Sequence, residues 1–106
     1  MAFFTYIVAS QRNGTLYIGH TDELWTRVGQ HKARTFKGFT AKYGVDLLVW
    51  YETYGSRDEA FRVERQMKKW NRAWKIELIE RFNPERRDLH DEILAWKKPG
   101  SPPSRG

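Results

Sequence analysis

Aromatic and β-branched side chains dominate residues 3–10, "FFTYIVAS", the composition of a β-strand. Asn13-Gly14 follows, a strong signal for a two-residue hairpin turn, and "TLYIGH" returns as a second strand over residues 15–20. Its apolar run, Leu16-Tyr17-Ile18, stops at Gly19. Thr21 or Asp22 is then placed to cap a helix with Asp22 and Glu23 in its first turn, where negative charge suits the helix dipole. Leu24, Trp25 and Val28 give this helix an apolar side, and it runs to about Ala33. Residues 34–44, "RTFKGFTAKYG", mix basic and aromatic side chains with two glycines and read as a loop. "VDLLVWYETY", 45–54, is nearly continuously apolar and predicts a third, buried strand.

The period then changes to that of a helix. Ser56 caps "RDEAFRVERQMKKW", with Glu59 at capping-box spacing, and Ala60, Phe61, Val63, Met67 and Trp70 define its apolar side. Asn71 interrupts, and "RAWKIELIERF" makes another helix that ends before Pro84. A last short helix is expected within residues 85–96, and "KKPGSPPSRG" reads as a solvated tail. The order β-β-α-β-α-α(-α) predicts a small single α+β domain over residues 1–96, with a three-stranded, mainly antiparallel sheet flanked by helices, and a flexible tail over 97–106.

Composition adds limits. A chain of 106 residues suits one domain, and 40% hydrophobic residues supply a core. With no cysteine, neither a disulfide nor a thiolate zinc site holds the fold. "MAFFTYIVAS" has no basic leading region and reads as a strand, not a signal peptide. No stretch approaches the roughly 18–20 apolar residues of a membrane span. The expectation is a soluble, cytoplasmic protein with no membrane partner. The formal net charge of +6 points to polyanions, since each phosphate contact releases counterions.

Several residues depart from a purely structural pattern. Glu64 lies on or beside an apolar stripe, where a bare carboxylate is costly unless a cation meets it. Lys68, four residues on, supplies one such cation, and a bound metal would supply another. Arg27 and His31 are four apart and share a helical face that borders the apolar one. They are either two solvated side chains or a phosphate clamp with a neighbouring proton-transfer group. Tyr6 and Tyr17 occupy the two hairpin strands, where tyrosines commonly pack. Gly19, however, ends the second strand where a backbone or a ligand can come close.

Together these residues resemble the GIY-YIG nuclease family. Tyr17-Ile18-Gly19 is the second signature tripeptide, and Phe4-Thr5-Tyr6 keeps the tyrosine of the first. Arg27 lies ten residues after Tyr17 and His31 four after that, as in the family, and Glu64 stands at the place of its metal-binding glutamate. The likeness covers roughly residues 3–83. It is greatest to the small stand-alone bacterial members, in which stretches like "RNGTLYIG", "GFTAKYG" and "KKWNRAWKIELIE" recur.

The resemblance implies metal-dependent hydrolysis of DNA phosphodiester bonds. Tyr17 would be the general base or orient the attacking water, Arg27 would hold the scissile phosphate, and Glu64 would bind Mg²⁺ or Mn²⁺. Tyr6 and His31 would order the water and Tyr17. A phenol is almost wholly protonated at neutral pH, so Arg27, the metal and His20 would bring positive charge to Tyr17. His20 stands where some members carry a lysine, and Asn71 and Asn83 are both candidates for an asparagine the family often uses. The helix of Glu64 is expected across the same sheet face as Tyr17, with the side chains ringing a gap the size of one phosphate. His20, Lys32, Lys37, Lys42, Lys68, Lys69 and Lys75 are candidate nucleic-acid contacts. Branched or damaged DNA is a candidate substrate, and a partner protein or a homodimer would supply targeting. The alternatives are a non-catalytic nucleic-acid-binding module on the same scaffold, or a protein-interaction domain anchored by exposed tryptophans.

Overall fold

The computed structural model describes residues 2–10, 15–32, 45–90 and 92–93, with backbone alone at 45 and 46. The hairpin turn at 13–14, the loop 34–44 with Lys37 and Lys42, and the tail 97–106 lie outside the described residues. Strands β1 (Phe3–Ser10), β2 (Leu16–Thr21) and β3 (Val45–Tyr54) form one sheet in the order β2-β1-β3. Both pairings are antiparallel. Helices α1 (Leu24–Lys32), α2 (Arg57–Lys68) and α3 (Arg72–Phe82) complete a small α+β domain.

The central strand, β1, is buried on both faces from Thr5 to Ser10. Its alternate side chains divide two cores, as the period of a strand requires. Tyr6 and Val8 pack with Leu24 and Val28 of α1 and with Leu89 and Ile93. Ile7 and Ala9 pack on the other face with Ile18, Met67 of α2 and Ile79 of α3. Thr5 also faces α2, donating its hydroxyl to the Ala60 carbonyl at 2.7 Å.

Strand β3 has Leu48–Tyr51 buried although it lies at the sheet edge. Two things explain this. Its register against β1 shifts between Ile7–Trp50 and Val8–Leu48, so Val49 and Trp50 both serve the α2/α3 core. Its outer edge is then covered by the segment after α3. Leu89 N–H donates to the Leu48 carbonyl at 2.8 Å, and Asp88 accepts from Leu48 N–H at 3.2 Å. Covering an edge in this way removes a template for strand pairing with another chain.

The helix starts differ from the sequence pattern in instructive ways. Thr21 is not a helix cap: it pairs with Phe4 in the ladder, is buried, and uses its hydroxyl to accept from Glu23 N–H at 3.0 Å. The Glu23 carbonyl accepts from Arg27 N–H, so the helix begins at Leu24 and both acids precede it. Asp22 pairs instead with Arg57 at 3.2 Å. At α2, Ser56 caps as expected, accepting from Glu59 N–H, but the Glu59 carboxylate returns to Gly55 N–H, one residue outside the capping box. Phe61 does not join the core; it is 43% exposed. Residues 85–88 are not helical: Arg86 adopts a left-handed φ of 53°, and a helical turn begins only near His90.

Candidate functional site

The register of the hairpin explains Gly19. Tyr6 stands directly opposite it, and a Cβ at position 19 would lie 2.6 Å from the Tyr6 hydroxyl oxygen. The glycine therefore makes room for a phenol of its own sheet; the expected approach of a backbone or ligand is not what fills that space.

Tyr6 is the hub of a buried group. Its hydroxyl lies 3.1 Å from His31 Nε2, and Arg27 hydrogen-bonds to it. Burial and the nearby Tyr17 push the Tyr6 phenol well above the ordinary tyrosine value, against the opposing pull of Arg27. Tyr6 therefore keeps its proton. A guanidinium only donates, so the Tyr6 oxygen accepts from Arg27, and the same oxygen meets His31 Nε2. Burial, with Arg27 nearby, holds His31 below its ordinary value, so the ring is neutral at neutral pH. Tyr6 and His31 are in direct contact, and in this respect the side chains do not ring an open gap.

Tyr17 is half-buried, with its ring 5.4 Å from that of His31 and 5.9 Å from Lys68 Nζ. Lys68 also lies 2.6 Å from Glu64 Oε2, while His20 Nδ1 lies 2.5 Å from Glu64 Oε1. The carboxylate, 7% exposed, thus has a partner at each oxygen.

The helices do not share a face. Tyr17 packs on the α1 side of the sheet, whereas α2 lies on the other side with Ile7 and Ile18. The expectation that α2 crosses the Tyr17 face is therefore corrected. Glu64 therefore lies on the face of β2 opposite Tyr17, and the link between them is Lys68, which pairs with Glu64 and comes within 5.9 Å of the Tyr17 ring at this edge strand. His20 departs from expectation for the same reason. Three residues after Tyr17 on a strand, it points to the opposite face and meets Glu64. The cation beside Tyr17 that sequence reasoning missed is Lys68; its spacing from Glu64 was legible, its reach to Tyr17 was not.

The remaining candidates fall elsewhere. Lys32 is joined to Asp88, with both groups partly exposed. Lys69 is exposed at the end of α2, and Lys75 is half-buried on α3. Asn71 caps α3, accepting from Trp74 N–H at 2.9 Å. Asn83 is buried and its amide is committed to backbone, donating to the Val49 and Arg87 carbonyls and accepting from Arg87 N–H. Both asparagines serve the fold.

Among the described residues no three His, Cys, Asp or Glu side chains are grouped to hold a metal. Glu64 nevertheless fits a hard divalent cation that keeps most of its waters. Its carboxylate is buried and already faces a cation, and the Lys68 side chain is half exposed, able to turn out to solvent.

Comparison with known proteins identifies the family. The family model described as the GIY-YIG catalytic domain matches residues 2–77, and the chain belongs to the GIY-YIG family. A UPF0213 protein of Staphylococcus haemolyticus is 32% identical over 77 residues, which are 73% of this chain and 93% of that one. A UPF0213 protein of Bacillus pumilus is 27% identical over 86 residues, 81% of this chain and 88% of that one. Among solved structures, the solution NMR structure of the UPF0213 protein BH0048 from Bacillus halodurans matches with 28% identity and a TM-score of 0.48, covering 76% of this chain and 84% of that one. Family membership points to nuclease-type chemistry on nucleic acid. Among the described residues, no helix is long and apolar enough to cross a membrane.

Proposed function

We propose that the protein is a divalent-metal-dependent endonuclease that hydrolyses DNA phosphodiester bonds at the edge of β2. The observation that carries this reading is the meeting there of two groups from opposite sheet faces. Tyr6, Arg27 and His31 form one hydrogen-bonded set beside Tyr17, and Lys68 links Tyr17 to the buried Glu64.

Each residue has a role suited to its surroundings. Tyr17, the less buried of the two tyrosines, orients the attacking water and takes its proton. Tyr6 and His31 are both neutral at working pH, so they position their neighbours and leave Arg27 as the charge that meets the phosphate. An arginine fork held in place by Tyr6 suits phosphate oxygens, and it counts most as negative charge grows in the transition state. Glu64, released by Lys68, would hold Mg²⁺ or Mn²⁺, which when bound stabilises the leaving oxygen.

The test is a panel of duplex, flap, branched and single-stranded DNA with Mg²⁺ and with Mn²⁺. Metal-dependent cleavage is expected. Tyr17→Phe should bind DNA as the parent does but lose cleavage. Arg27→Ala should slow cleavage by about 100-fold or more with a much smaller effect on binding. Glu64→Gln should abolish the response to metal. The engagement of both Glu64 oxygens by His20 and Lys68 favours the second reading, a binding module without catalysis. Binding with no cleavage of any substrate, or cleavage by Tyr17→Phe at the parental rate, would decide against the proposed roles.

A further inference from the structure

Phe61 is a large apolar side chain that α2 turns outward beside the candidate site. Its ring lies 5.1 Å from the ring of His20, and His20 is hydrogen-bonded to Glu64. The Arg65 guanidinium also sits over the ring, 5.6 Å from its centroid. Phe61, Arg65 and Lys69 follow one another at helical i, i+4 steps of about 6 Å each along one row, and all three are exposed, as is Arg62 alongside. Asp58 and Glu59, the other acids of α2, are confined to its first turn, and Glu64 is buried. An aromatic face thus adjoins the carboxylate and leads into a run of cations.

We propose that Phe61 is a stacking platform for an unpaired base next to the cleaved bond, with Arg65 and Lys69 following the phosphates of the same strand. The substrate is then single-stranded at that nucleotide. Duplex bases have both faces covered by their neighbours, so a duplex would meet this row through phosphates alone and leave the ring without use. An unpaired base presents the π-face that an aromatic ring and a guanidinium plane both accept. The positive row complements the strand's charge, and the position beside His20 and Glu64 sets the platform against the site. This inference rests on the nuclease reading only for what lies next to the base.

The experiment uses the full chain in EDTA, where cleavage is out of play. A single-stranded DNA oligonucleotide carrying one 2-aminopurine, and the same sequence as a blunt duplex, are titrated by anisotropy and by 2-aminopurine fluorescence. Phe61→Leu keeps side-chain bulk at an exposed position and should melt as the parent does, while Phe61→Trp keeps stacking. Phe61→Leu should weaken single-strand binding about tenfold and duplex binding by no more than about twofold, with Phe61→Trp close to the parent. Equal loss on both DNAs, no loss on either, or no binding of the single strand overturns the platform. The two readings fail separately. A protein that cleaves nothing with Mg²⁺ or Mn²⁺ but shows this loss keeps the platform, and one that cleaves while indifferent to Phe61→Leu keeps only the nuclease reading.

Discussion

At the scale of single residues, Gly19 and His31 each carry a testable consequence of burial. A methyl group at position 19 would sit 2.6 Å from the Tyr6 hydroxyl and 2.8 Å from its ring carbon Cζ. Tyr6 is only 1% exposed and cannot move out to solvent. Gly19→Ala is therefore expected to destabilise the fold by about 1–3 kcal/mol, the usual range for overpacking a core, as read by urea denaturation. It should also pull Tyr6 from His31. His31 makes a different prediction. Burial and Arg27 hold it below its ordinary value, so the folded chain binds fewer protons than the unfolded one once the pH drops below about 6.5. Stability should fall as pH is lowered from about 7 to 5, and His31→Gln should flatten that fall. Asp88 acts in a lower window. Burial works against its charged form, but Lys32 and the N–H groups of His90 and Leu48 prevail and hold it below the ordinary carboxylate value. Its stabilisation is lost only below about pH 4. Melting temperatures of parent and variant across pH 5 to 7 check the His31 contribution.

At the scale of elements, the segment after α3 matters more than its irregular backbone suggests. Asn83, Asp88 and Leu89 together tie the end of α3 to the outer edge of β3. Asn83→Ala leaves the buried Val49 carbonyl and the part-buried backbone groups of Arg87 without that amide, and a loss of about 1–3 kcal/mol is expected by denaturant unfolding. A decrease far smaller than this would mean that other groups or water satisfy those carbonyls. The hydrophobic pattern did not show this segment as an edge cover, because its contribution is a set of side chain-to-backbone hydrogen bonds with no period. The pattern served the regular elements well. β1 and β3 coincide with the expected 3–10 and 45–54, and α3 covers the expected "RAWKIELIERF", with Asn71, read only as an interruption, serving as its cap. It failed at the start of α1, where the ladder partner of Thr21 outweighed a local capping preference.

For the whole molecule, the +6 charge predicts that affinity for nucleic acid falls steeply with salt. Anisotropy between about 50 and 200 mM salt should show a marked loss, because each phosphate contact made by lysine or arginine releases counterions. A flat response would favour the protein-interaction reading. The class of fold and the strand and helix order could be read along the chain, which also names Tyr6, Tyr17, Arg27, His31 and Glu64 as candidates for the site. Periods of two and of nearly four residues, and the spacing between the tyrosines, arginine and histidine, are local properties written in the order of residues. Which sheet face each helix covers is not local. Only the packed structure decided that α2 lies opposite α1, that Glu64 meets His20 on the α2 side of β2, and that Lys68 reaches from Glu64 toward the Tyr17 ring. Only it decided that Gly19 serves the Tyr6 phenol, a consequence of cross-strand register. The physical reason is common to all three. Periodicity states which side of its own element a residue occupies, while the partner on that side is chosen by how the elements dock.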